Sequence, residues 1–372
     1  SVQAHDDVQL GAAYALLERL CQQYVQAALQ ELQEQAVPRW HHQLLLNWCK
    51  AQPPPPEPYV TREEVLQAHP DLRPEMALAE QCGARLTDAL TGAMTYQELL
   101  FPGGSMDAVL PVYKDAVIAS FYNECVVAAV CAIVDALPEG RLLRVLEIGA
   151  GTGGTAASVL PVLRGACACY TFTDVSESFL RGARGTFAAE YPFVEYELLN
   201  IDADPRLQGF ASAQYDLIIT TNTLHATPFM RNTLRNCRQL LAPGGLLLIN
   251  DAQRTSALAQ ITFGLTDGWW LFHESADPER LGYHSPLMEW EQWRGLMEES
   301  RFHQTVCMRG AGFLQAQAVM IAQVGGTASS TESATRAGGE SGAHLFTGGL
   351  GGLGLLTARM LVKEAGATQL LI

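Results

Sequence analysis

Val145-Leu-Glu-Ile-Gly-Ala-Gly-Thr-Gly-Gly154 is an apolar run that ends in four glycines within six residues. A buried strand feeding so many glycines lets the backbone N–H groups at the start of the next helix approach a ligand closely. Spacing alone leaves two ligands open, because Gly149, Gly151 and Gly154 also satisfy the dinucleotide fingerprint. Glu147 separates them. An acidic residue two positions before the first glycine would set negative charge against a pyrophosphate, whereas it suits a cofactor carrying an amino group and a sulfonium. That cofactor is S-adenosylmethionine, with S-adenosylhomocysteine as its product, and Glu147, Gly149, Gly151 and Gly153 are candidate contacts.

On either side of this loop, from 142 to 324, short β-rich runs alternate with helical ones. Residues 143–148, 170–173, 215–220 and 245–250 carry little internal polarity, as strands buried on both faces do, which predicts a parallel sheet wrapped by helices. The expected class is α/β, a doubly wound Rossmann-like core for a methyltransferase that uses S-adenosylmethionine. The first third is rich in Ala, Leu, Gln and Glu, with Tyr14, Leu17, Leu20, Tyr24, Val25 and Leu29 at helical spacing. Pro53 to Pro56, with Pro58, reads as a stiff spacer after a first helical hairpin. Thr61-Arg-Glu-Glu64 is a capping box opening a helix, and Phe101-Pro-Gly-Gly-Ser105 is a turn that closes the helical region. A long amphipathic stretch follows at 113–137. Residues 325–342 are Gly, Ser, Thr, Ala and Glu, a linker composition, and 343–372 opens one more strand-and-helix unit. The expected segments are therefore 1–120, 121–324, 325–342 and 343–372.

Composition narrows the function. Over 372 residues, 24 Lys and Arg stand against 39 Asp and Glu, a net charge of −15, so the chain has no basic excess with which to bind nucleic acid. The longest uninterrupted apolar run, 125–134, is about half of what a bilayer-spanning helix needs, and no secretory signal is expected at the start, where Asp6 and Asp7 stand. Nine cysteines without a C-x-x-C pair read as reduced thiols in a cytoplasmic protein. No His, Cys and Asp cluster has metal-ligand spacing, so no metal is expected.

Further candidates follow in chain order. Asp174, twenty residues past the last glycine at the end of a strand, is placed to accept hydrogen bonds from ribose hydroxyls. Asn200 and Asp202 follow a short apolar run and are candidates for the adenine edge, although a surface turn uses the same residue types. Ala242-Pro-Gly-Gly245 is a tight turn feeding a late strand. In Asp216-Leu-Ile-Ile-Thr-Thr-Asn-Thr-Leu-His-Ala-Thr227, His225 lies just beyond the carboxyl end of a buried strand, the edge at which open α/β sheets bind ligands, and Asn222 is a further cofactor candidate. Asp251 lies beyond the end of the next strand. A carboxylate on one imidazole nitrogen fixes the tautomer and leaves the other nitrogen as a base. Phe263-Gly-Leu-Thr-Asp-Gly-Trp-Trp-Leu-Phe272 packs aromatics around two glycines, either as the wall of an acyl pocket or as core.

Four of these motifs, namely 101–105, the loop around Glu147, 221–227 and 263–270, together resemble the C-methyltransferase domain of modular type I polyketide synthases, over roughly 95–324. The resemblance implies that His225, oriented by Asp251, deprotonates the α-carbon of a β-ketoacyl chain tethered by phosphopantetheine to an acyl carrier protein. It also implies that the N-terminal helices, with Tyr113, Tyr122 and Asn123, form a lid over a pocket that Phe263 and Trp269 complete. The chain departs from the family pattern twice. Asp251 stands where the family usually has Glu, so contact with His225 is expected through a backbone adjustment or a water, and Asn200 stands where it tends to have Asp. Thr347-Gly-Gly-Leu-Gly-Gly-Leu-Gly354 resembles the opening of a polyketide ketoreductase, with Gly349, Gly351 and Gly354 as an NADP fingerprint in a fragment too short to bind it. The implied setting is a methyltransferase inserted ahead of a reductase half, with other synthase domains as neighbours. A carrier protein, itself acidic, would dock at Arg181 and Arg184 or at Arg231 and Arg235. Two other readings use the same residues: an O- or N-methyltransferase for a free small molecule, and a structural remnant without activity.

Overall fold

The computed structural model describes residues 7–310 and 312–325, and two short strands, Ala343–Leu345 and Gln369–Leu371, that pair in parallel. The glycine fingerprint at 349–354 lies outside the described residues. Six helices open the fold: α1 (Asp7–Leu32), α2 (Trp40–Ala51), α3 (Arg62–Ala68), α4 (Arg73–Gly83), α5 (Leu86–Thr91) and α6 (Tyr96–Leu100). On α1, Leu10, Tyr14, Leu17, Cys21, Val25 and Ala28 are buried at three- and four-residue spacing, one apolar stripe around which the other helices gather. Thr61 and Glu64 form the predicted capping box, and Thr95 and Glu98 form a second at the start of α6. The proline spacer runs along α1, held where Arg19 donates to the Pro58 carbonyl at 2.7 Å and Gln23 exchanges two hydrogen bonds with the Val60 backbone.

After α7 (Leu110–Lys114) and α8 (Val117–Asp135) the chain enters a seven-stranded sheet. Its strands are β1 (Leu143–Ile148), β2 (Cys167–Asp174), β3 (Val194–Leu198), β4 (Tyr215–Thr221), β5 (Leu241–Ala252), β6 (Phe302–Met308) and β7 (Gln317–Val324), in the order β3-β2-β1-β4-β5-β7-β6. Helices α9 (Gly154–Leu163), α10 (Glu177–Phe187) and α11 (Met230–Leu240) make the crossovers between the parallel strands, and α12 (Ala257–Ile261), α13 (Leu271–Glu274) and α14 (Trp290–Glu299) lie between β5 and β6. The sheet is not wholly parallel, as the sequence suggested: β7 runs antiparallel to both β5 and β6. Edge strands β3 and β6 are wet on one side, so they lack the continuous apolar run that marks β1, β4 and the end of β5.

Helix α8 crosses the 120/121 boundary drawn from sequence and lies on α9 and the sheet. It is long and apolar enough to cross a membrane by length and composition, and Tyr122, Val126, Ala129 and Val130 are wholly buried in the core beside β1 and α9. Tyr122 is therefore a core post and not a wall of the pocket. Its hydroxyl reaches the Leu314 and Gln317 carbonyls and accepts the Gly310 N–H at 3.2 Å, which fixes α8 to the turn before β7. The N-terminal helices share one apolar cluster with Ala257, Ile261, Leu265, Trp269, Trp270, Phe272 and Leu287, so the cover over the sheet's carboxyl edge is built from both ends of the sequence.

Candidate active site

The glycine loop joins β1 to α9 in a backbone path that needs glycine. At Gly149 φ is +62°, and a Cβ there would lie 2.6 Å from Thr223 Oγ1; that hydroxyl bonds the Gly149 carbonyl at 3.0 Å and clamps the loop to the end of β4. At Gly151 φ is +54°, and a Cβ there would meet only the Gly149 carbonyl oxygen, at 3.9 Å. Asp174, at the end of β2, accepts the Gly151 N–H at 3.0 Å and the Ser176 N–H at 2.9 Å. It thus holds the loop shut, and each oxygen keeps a further lone pair. Burial raises its pKa.

Glu147 is not presented to this opening. It is 1% exposed and accepts the Tyr170 hydroxyl at 2.7 Å beneath the loop. Burial, against the hydrogen bond from Tyr170, pushes its carboxyl up to about 8, so it holds its proton at neutral pH. Alternation along β1 puts Glu147 on the same face as Val145, which packs in the core with Tyr170. Asn200 is exposed, its Oδ1 capping the Asp202 N–H at 2.9 Å and its backbone bonded to Gln208. Asp202 is half-buried near Arg280 and Thr233, and burial raises it to about 6.

His225 and Asp251 come together directly: Nδ1 lies 2.6 Å from Asp251 Oδ1, with the imidazole side chain 8% exposed and the carboxylate wholly buried. The shorter acid needs no bridging water. The ends of β4 and β5 are held in register here, the Asn222 N–H donating to the Asn250 carbonyl at 2.8 Å and its Oδ1 accepting the Ala252 N–H at 3.0 Å. Asn222 takes φ +49° to do this, so its side-chain oxygen is committed to the strand ends. The edge of the His225 ring faces Trp269, with centroids 5.6 Å apart.

Below His225 lies a residue that sequence reading passed over. Arg280, 1% exposed, donates to the carbonyls of His225 and Thr227 at 2.6 Å each and to Asp277 at 2.7 Å, and its guanidinium sits over the Phe272 ring. A lone arginine in a turn gives no sequence signal of this kind. A cavity of about 730 Å³ opens beside the pair, and its mostly apolar lining includes Tyr113, Asn123, His225, Phe263 and Trp269. The aromatic stretch therefore divides, with Phe263 and Trp269 in the wall and Trp270 and Phe272 in the core. Tyr113, half-buried, has its hydroxyl pKa raised by burial and by Asp251. Asn123 donates to the Tyr113 carbonyl at 3.2 Å. Glu147, the loop glycines, Asp174, Asn200 and Asp202 do not line this cavity, and Thr221 and Asn222 stand between the two regions.

Two outcomes follow from these contacts. Arg280→Met strands the buried Asp277 carboxylate and frees the His225 carbonyl, and should cost about 3–5 kcal/mol in urea unfolding; a change under about 1 kcal/mol would contradict the clasp. Glu147→Gln should gain stability relative to the parent as pH rises from about 4.5 to about 8. In that window the unfolded carboxyl has lost its proton while the folded one keeps it, so rising pH favours the unfolded parent. A difference independent of pH in paired denaturation curves would show that the carboxyl is not held protonated.

Residues 146–247 match the family model described as a methyltransferase domain. The chain is 40% identical over 205 residues to the polyketide synthase ThaG of Burkholderia thailandensis and 32% identical over 263 residues to PksR of Bacillus subtilis; these alignments take in 54% and 69% of the chain. It spans only 4% and 10% of those two proteins' lengths. Among solved structures, the CurJ carbon methyltransferase superposes with a TM-score of 0.79 at 30% identity, covering 87% of this chain and 95% of that one. With that identity, that coverage and the polyketide synthase relatives, the chain belongs to the family of S-adenosylmethionine-dependent carbon methyltransferase domains of polyketide synthases.

Proposed function

We propose that this domain methylates the α-carbon of a β-ketoacyl chain carried as a thioester on an acyl carrier protein, with His225 as general base and Asp251 as its positioning partner. The observation that carries the reading is the 2.6 Å contact between His225 Nδ1 and a buried carboxylate, set in the wall of a cavity large enough for an acyl chain. Donation of Nδ1–H to Asp251 leaves Nε2 as the acceptor. A carbon between ketone and thioester is acidic enough for an imidazole to ionise. The α C–H bond breaks with its proton passing to Nε2, and the carbanion's electron pair forms the new C–C bond.

The residues fit the cofactor. The uncrowded glycine turn at Gly151, the unpaired N–H groups in the first turn of α9 and the spare lone pairs of Asp174 suit a nucleoside with an amino-acid tail. When bound there, S-adenosylmethionine would supply the electrophilic methyl group, the S–C bonding pair staying on sulfur as S-adenosylhomocysteine leaves. Gly149, Gly151, Gly153 and Asp174 would hold it, with Asn200 and Asp202 beyond. Asn222 contributes through the strand ends it joins, and Glu147 supports the loop from below. Tyr113, Phe263 and Trp269 exclude water from the base, and the N-terminal helices guide the pantetheine arm as a lid. For carrier docking, Arg181 and Arg184 on α10 are the better pair, because Arg231 is already committed to Glu279 and Glu299. The parent protein is read as a multidomain synthase in the cytoplasm, with a ketoreductase segment next along the chain.

Mass spectrometry of a β-ketoacyl carrier protein after incubation with the domain and S-adenosylmethionine tests this. One methylene unit should appear on the acyl arm, at a rate cut on the order of 10²- to 10⁴-fold by His225→Ala. Asp251→Glu should lower turnover and not raise it, since an added methylene must overpack a wholly buried site already in direct contact, at about 1–3 kcal/mol. Methylation that survives His225→Ala, or that occurs on oxygen or nitrogen of a free acceptor, would contradict the reading.

A further inference from the structure

The cavity beside His225 is also walled by α1, which presents Gly11, Tyr14, Ala15 and Glu18 at the spacing of a single helical face, and by Glu75 of α4. The wall is otherwise mainly apolar, which makes a buried carboxyl there conspicuous. Glu75 is 3% exposed. Its Oε1 accepts the Tyr14 hydroxyl, whose ring stacks on Phe313 at 4.1 Å, while its Oε2 is buried with no hydrogen-bond partner. Pairing with Tyr14 explains one oxygen and leaves the other. An unsatisfied buried carboxyl oxygen is costly, and in a residue that lines a cavity a group bound there can supply the missing partner. Glu18, one turn along from Tyr14, has its Oε1 taken by the Ala257 N–H at 2.6 Å and does not compete.

We propose that Tyr14 and Glu75 form a polar subsite for a hydroxyl group on the acyl chain, remote from the reacting carbon, so that the domain selects hydroxylated chains over fully reduced ones of the same length. This rests on the reading of the cavity as the acyl site. A hydroxyl fits because it both donates and accepts. It serves Oε2 whether the carboxyl is protonated or ionised, whereas a ketone needs the protonated form and an ammonium the ionised one. Burial raises the Glu75 pKa, which favours a neutral partner over a cation.

Calorimetry on the intact domain, with pantetheine β-ketothioesters of one length carrying a single hydroxyl at successive positions, decides it without requiring turnover. One position should bind about tenfold tighter than the deoxy chain, the size expected of one buried hydrogen bond to a carboxyl, and Glu75→Leu should bring that ratio to near one. Equal affinity at every position, or a preference that survives Glu75→Leu, overturns the subsite. The ligand series on the unaltered protein carries the decision even where Glu75→Leu does not fold. Loss of methyl transfer with the binding preference intact would count against the proposed reaction and not against the subsite.

Discussion

The hydrogen bond between His225 Nδ1 and Asp251 Oδ1 rests on the register between the carboxyl ends of two neighbouring parallel strands, β4 and β5. Thr221 stands opposite Asn250 in the β4–β5 register, and Asn222 locks that register through its own backbone and side chain, taking a left-handed φ to do so. His225 follows three residues later on a tight turn, and Arg280 fixes the turn from below by holding its carbonyls. Thr223 reaches from the same turn to the glycine loop. One short segment, 221–227, thus joins the loop over β1, the imidazole and the buried guanidinium.

This arrangement explains how a side chain as short as Asp251 reaches the imidazole directly. The side chain is short, but it starts inside β5, opposite Ala318 of β7, and it is wholly buried. Reach comes from the placement of the strand. The second carboxylate oxygen is buried without a partner, so the whole hydrogen-bonding preference of the acid is directed through Oδ1.

The fold was largely legible because its decisive signals are local. Glycines after an apolar run, strands without polar residues and a histidine at a strand end are patterns within ten residues. The dyad could be read because His225 lies just past the end of β4 and Asp251 in the last residues of the neighbouring β5, on the same edge. What escaped the sequence was direction and long-range company. Glu147 was placed at the right strand end, but its burial against Tyr170 of β2 is a contact across the sheet that the sequence does not show. Tyr122 and Asn123 are adjacent on α8, yet one is a core post and the other lines the cavity, a difference of about 100° around the helix axis. Arg280, Tyr14 and Glu75 gave no motif at all, since their roles arise only when segments some 50 to 200 residues apart are brought together. The edge strands β3 and β6 escaped because water on one face dilutes their apolar pattern.

The proton removal proposed for His225 can be measured apart from methyl transfer. Deuterium incorporation at the α-carbon of a β-ketoacyl carrier protein should be followed in heavy water, without any methyl donor, for the parent protein and for His225→Ala. Exchange well above the uncatalysed rate, falling to that rate in the variant, is the predicted result. Exchange that is no faster than background in a protein that nevertheless transfers methyl groups, or that is unchanged by His225→Ala, would contradict the assignment of His225 as the base.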